Sequence, residues 1–149
     1  MRLANCMETI MPLIRIEMRR GKSPAYRRAV ADGIHRALVD GIGVPLKDRF
    51  QIITEHDGEN LIYDREYFGV ARSDDAIFVT VSLRRGRSAE VKRDFYRRVV
   101  ANLAADPGLR PEDVAIILTE NGDADWSFGK GKAQLLGADA PPIRTAVPA

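Results

Sequence analysis

Arg19-Arg20-Gly21-Lys22-Ser23 recurs as Arg84-Arg85-Gly86-Arg87-Ser88, an offset of 65 residues from Gly21 to Gly86. Thr54-Glu55 recurs as Thr119-Glu120 at the same offset, so no gap separates the two matches. Arg28 and Arg93, Leu38 and Leu103, Gly43 and Gly108, Asp48 and Asp113, and Ile52 and Ile117 keep the same register. Two copies of one supersecondary unit therefore build the chain. Projected back from Ile77, which opens the second copy, the first copy opens at Pro12 rather than at residue 1.

Within copy one, Ile14, Ile16 and Met18 alternate with Arg15 and Glu17, which predicts a strand. Gly21 breaks it, and Ser23-Pro24 reads as a helix cap followed by the first helical position. Tyr26, Ala29, Val30, Gly33, Ile34, Ala37 and Leu38 form a helical stripe, ended by Gly41, Gly43 and Pro45. A second strand is predicted over Phe50 to Thr54. Copy two repeats the plan: a strand from Ile77 to Ser82, a cap at Ser88, a stripe of Val91, Phe95, Val99 and Leu103, and a last strand from Val114 to Leu118. Residues 56–75 form a polar connector.

Each β-α-β unit makes its two strands parallel. The expected fold is α/β (α+β): one four-stranded sheet with two helices on one face. Ile77-Phe78-Val79 and Val114 to Leu118 are nearly continuous apolar runs, typical of strands covered on both sides. Two helices cover only one face, so a further subunit is expected on the other. The domain is expected over 12–137, with 1–11 an extension absent from the mature protein and 138–149 a flexible tail.

Composition narrows the function. Against 21 acidic residues stand 23 basic ones, a balance that argues against a nucleic-acid partner or a membrane surface. No apolar run approaches the ~20 residues of a spanning helix. Cys6 is the single cysteine and His35 and His56 the two histidines, which leaves no disulfide and no structural zinc set. A cytoplasmic protein with no cofactor and no metal fits this composition. His35 falls mid-helix and reads as packing or surface, and His56 falls in the connector. Gly129-Lys130-Gly131-Lys132 is not a phosphate loop, because Trp126 stands where its first glycine belongs and Ala133 replaces the Ser or Thr.

The duplicated unit with proline at its head resembles the tautomerase superfamily. Glu120-Asn121-Gly122-Asp123-Ala124-Asp125-Trp126-Ser127-Phe128-Gly129, with Val44-Pro45 and Asp48-Arg49-Phe50-Gln51, is most similar to its malonate semialdehyde decarboxylase branch. The resemblance implies a homotrimer, no cofactor, and catalysis by Pro12 as an amino-terminal amine. It implies that Asp48 orients or activates water or substrate, and that two arginines near the end of the third strand hold a substrate carboxylate. The branch spaces them Arg-x-Arg. Here the strand register selects Arg84, the turn selects Arg87, and Arg85 stays open. Arg84 to Ser88 also fits the Arg-x-Gly-Arg-Ser of the related cis-3-chloroacrylate dehalogenases. Trp126 and Phe128 match the aromatic wall of the decarboxylase pocket, and Leu135 stands where the branch has phenylalanine.

A proline α-amine titrates near pH ~8, and an apolar pocket among arginines pushes it lower. It can then act as base, acid or iminium-forming nucleophile. The expected activity is decarboxylation of a small 3-oxo acid such as malonate semialdehyde, with hydratase or tautomerase side activity. Its rivals are a keto-enol tautomerase or haloacrylate dehalogenase, and a trimeric binding protein with Pro12 blocked.

Overall fold

A computed structural model describes residues 12–139; the expectations for residues 1–11 and for the end of the tail from 140 lie outside the described residues. Strand β1 (Leu13–Arg19) leads into helix α1 (Pro24–Ala37) and strand β2 (Phe50–His56). Strand β3 (Ile77–Arg84), helix α2 (Ala89–Ala105) and strand β4 (Val114–Asn121) repeat the order. The serines cap as their positions require: Ser23 Oγ accepts from the Tyr26 N–H at 3.1 Å and Ser88 Oγ from the Val91 N–H at 3.2 Å. Gly21 and Gly86 turn the chain before each cap with φ of 124° and 131°, a region that only glycine enters without strain.

The sheet order is β2-β1-β3-β4. Each unit's own strands are parallel, Leu13 beside Phe50 and Ile77 beside Val114, while β1 and β3 meet antiparallel, Leu13 opposite Ser82. The starts of β1 and β2 therefore share one sheet end with the finishes of β3 and β4. Ile14, Ile16, Met18, Val79, Val81 and Leu83 are buried in one cluster with Ile34, Phe95, Val99 and Leu103 of the helices. The helices cross closely at Gly33, where an added Cβ would lie 2.8 Å from Leu103 Cδ2.

The opposite sheet face carries Phe50, Ile52 and Ile117, which are 48, 41 and 59% exposed in the single chain. In β3 only alternate residues are fully buried; Phe78, Thr80 and Ser82 on the outer face are half-buried. After α1 the chain widens into a π-helical turn over Leu38–Ile42 before Gly43 reverses it. All four strands run past their predicted ends, β1 by Arg19 alone, and His56 closes β2 rather than lying in the connector. Among the described residues no helix is long and apolar enough to cross a membrane.

Candidate active site

Pro12 is buried and immediately precedes β1, at the sheet end where β2 begins and β3 and β4 finish. Asp48 and Arg49 lie just before Phe50, Leu13's partner in β2. Arg84 is the last residue of β3 and pairs with Asn121. The topology thus gathers Pro12, Asp48, Arg84 and the turn from Arg85 to Arg87 at one end.

The three arginines differ. The Arg84 side chain is 12% exposed, and its Nε donates to Asp123 Oδ1 at 2.5 Å. Arg85 is exposed, and its backbone N–H donates to the Asn121 carbonyl. Arg87 is half-buried and donates from Nη1 to the Arg84 carbonyl at 2.7 Å. Among the described residues no carboxylate lies within ion-pair distance of Arg87. Burial, and secondarily the neighbouring Arg84 charge, push its pKa below the usual arginine value. Glu120, the nearest acid influence, already accepts from Lys92 Nζ and the Gly86 N–H, and Lys92 chiefly holds its pKa low.

The matching turn of copy one has the opposite electrostatics. Arg19 lies 3.3 Å from Asp74 and Lys22 lies 2.7 Å from Asp75, two acids just before β3. Hydrogen bonding to Asp75 raises the pKa of Lys22. Two nearly identical sequences thus make one self-neutralised cluster and one with an uncompensated cation. The ion pair Arg27–Glu55 in copy one corresponds to Lys92–Glu120 in copy two.

The two aromatic residues expected to form a pocket wall lie in the segment after β4. Trp126 Nε1 donates to Asn121 Oδ1 at 2.6 Å, and the Trp126 and Phe128 rings stack with centroids 5.7 Å apart. Gln134 pins this segment, accepting from the Phe128 N–H and donating to the Gly129 carbonyl. Leu135, half-buried, follows it in the same turn. Sequence reasoning did not single out Asp123, Asn121 or Gln134. The first two stand inside the quoted Glu120–Gly129 segment, so the signal was present without a role; Gln134 carries no local signal. Among the described residues no three His, Cys, Asp or Glu side chains converge to hold a metal.

Asp48 and Asp113 share a position in the repeat but not an environment. Asp113 is 1% exposed, accepts from the Ser73 N–H and Oγ at 2.6 Å each, and lies 4.0 Å from Arg110. Asp48 is half-buried in the turn before β2, its N–H donating to the Pro45 carbonyl at 2.9 Å.

Sequence profiles described as tautomerase enzyme match residues 48–129 and 12–71. The probable tautomerase YusQ of Bacillus subtilis (strain 168) is 36% identical over 126 residues, which cover 85% of this chain and 99% of the relative. The probable tautomerase YrdN of the same organism is 32% identical over 85% of this chain and 97% of its own. A solved malonate semialdehyde decarboxylase superimposes with a TM-score of 0.77 and 36% identity, covering 83% of this chain and 95% of that one. The FG41 malonate semialdehyde decarboxylase, solved with 3-bromopropiolate as inhibitor, gives 0.76 and 40%, with 82% and 92% covered. Similarity thus runs through both halves of the duplication, and the chain belongs to the tautomerase family.

Proposed function

We propose that this tautomerase-family enzyme decarboxylates a small 3-oxo acid such as malonate semialdehyde, with the amine of Pro12 as its central group. The observation that carries the proposal is Arg87: a half-buried cation without an acid partner among the described residues, at the sheet end that also holds Pro12 and Asp48. Such a cation suits a substrate carboxylate, which it can bind through charge-assisted hydrogen bonds. The likeness to two solved malonate semialdehyde decarboxylases at 36 and 40% identity supports this substrate class.

In the proposed reaction, Arg87 and Arg84 grip the carboxylate, and Trp126, Phe128 and Leu135 wall the small carbon chain. Arg85 lies at the rim. The bond between the carboxylate carbon and the adjacent methylene breaks. Its electron pair moves toward the aldehyde carbonyl, whose oxygen takes the proton of the Pro12 ammonium. Carbon dioxide leaves, a proton from solvent reaches the enol carbon, and the enol O–H returns its proton to the Pro12 amine, which yields acetaldehyde. Asp48 orients the carbonyl end or a water. This chemistry needs a free Pro12 amine, so the active form begins at Pro12. Acetaldehyde release from malonate semialdehyde tests the reading. A protein that ketonises an enol acid but releases no acetaldehyde is instead a tautomerase, the activity in the names of its Bacillus relatives.

Two further results are expected. Asp113→Asn should lower thermal stability by about 1–3 kcal/mol, because an amide cannot accept both Ser73 bonds without turning a donor toward one of them. Asp48→Asn should instead lower kcat with little change in melting temperature. Equal kinetic losses in the two variants would make Asp48 structural. The exposed apolar face with Phe50, Ile52 and Ile117 is proposed to pack against two other copies in a homotrimer. Sedimentation at micromolar concentration is expected to give the trimer mass, and a stable monomer would refute it.

A further inference from the structure

The loop that carries Asp48 is tied down by a single turn of α1. His35 is 4% exposed, and its Nε2 lies 2.7 Å from the Leu46 carbonyl, two residues before Asp48. A carbonyl only accepts, so Nε2 carries the proton. Nδ1 is buried as well, and among the described residues it has no hydrogen-bond partner. On the far side of Asp48, the Arg49 guanidinium donates to Asp32 Oδ1 at 2.6 Å and to Gln51 Oε1 at 2.7 Å. Gln51 Nε2 donates in turn to the Ala31 carbonyl at 2.7 Å. Residues 31, 32 and 35 are one helical turn, and their bonds bracket Asp48 on both sides.

The duplication provides an internal control. At the equivalent positions of copy two, His35 becomes Val100, Arg49 becomes Val114 and Gln51 becomes Ile116. Copy two still forms its helix, its strand and the preceding turn. The β-α-β fold therefore does not require the tether. Val100 also shows that an apolar residue serves in that place, whereas His35 leaves one ring nitrogen buried and unsatisfied. Leu46 is 73% exposed, so its side chain adds little packing to hold the turn. The backbone bond from His35 takes that part.

We propose that the turn of α1 from Ala31 to His35, acting through Leu46, Arg49 and Gln51, is the positioning element for Asp48, with His35 its principal member. The inference rests on the reading of Asp48 as a group that faces substrate. His35 itself touches no substrate in it; the imidazole acts on the backbone that aims the carboxylate. Misplacement of a reacting group by about 1 Å can cost about a hundredfold in rate.

A double-mutant cycle on the protein beginning at Pro12 tests this. His35→Met and Gln51→Leu are each made in the natural background and with Asp48→Asn, and kcat, KM and melting temperature are measured. In the natural background, each is expected to lower kcat by about ten- to a hundredfold, with KM changing by no more than about threefold. His35→Gln, which restores an N–H near Leu46, should recover part of the loss. With Asp48→Asn already present, either substitution should change kcat by no more than about twofold, since the effect it transmits has been removed. The same loss in both backgrounds, or unchanged kcat in the natural one, overturns the proposal. If His35→Met does not fold, Gln51→Leu at its half-buried position carries the test. If Asp48→Asn alone leaves kcat unchanged, the reading of Asp48 fails first and the tether falls with it.

Discussion

Protein beginning at Pro12 is expected to release acetaldehyde from malonate semialdehyde about a hundred- to ten-thousandfold faster than protein that retains residues 1–11, the span typical of a lost general acid or base. The physical ground is the bonding state of one nitrogen. Joined to Met11, the Pro12 nitrogen is a tertiary amide. It carries no hydrogen and has no usable basicity, so it can neither relay a proton nor attack a carbonyl. Released, it is a secondary amine with a pKa near ~8 before its surroundings act on it. The mass of the native protein's amino terminus shows which form exists, and borohydride with an aldehyde acid should trap the iminium if that route operates. Equal turnover by both forms would remove Pro12 from the mechanism, and no turnover by either form would favour the binding-protein reading.

Arg87→Ala is expected to lower kcat/KM for 3-oxo acids by roughly ten- to a hundredfold, the worth of a hydrogen bond to a charged group, about 1.5–3 kcal/mol. It should do so without lowering the melting temperature. Burial and Arg84 both oppose the Arg87 charge, and among the described residues its hydrogen bond goes to a backbone carbonyl. Removing an uncompensated cation takes away a cost to the fold along with its function. Arg84→Ala should behave differently, because it leaves Asp123 without its 2.5 Å partner and so should lose stability as well as activity. Arg85→Ala, at an exposed position, should change kinetics least. Unchanged kinetics in all three variants would refute a carboxylate site at this turn, and a stability loss in Arg87→Ala larger than in Arg84→Ala would refute the electrostatic argument.

Much of this was legible from the residues alone. The offset between Gly21 and Gly86 determined that one unit occurs twice, and alternation and caps placed each strand and helix, because these signals are local. The resemblance carried by Pro12, Asp48 and the segment from Glu120 to Gly129 pointed to the family to which the chain belongs. Strand ends were less legible. Thr119-Glu120-Asn121 continues β4 because it pairs with Ser82-Leu83-Arg84, and a polar tripeptide does not announce its partner. The order β2-β1-β3-β4, with antiparallel β1 and β3 at its centre, came only from the tertiary structure. So did the contrast between the two basic turns. Their sequences are nearly the same, yet Asp74 and Asp75 neutralise Arg19 and Lys22 while Asp123 takes Arg84 and leaves Arg87 uncompensated. The reason is that periodicity and capping act over a few residues, whereas the counter-ion of a buried charge is supplied by a segment tens of residues away, and only folding brings it there.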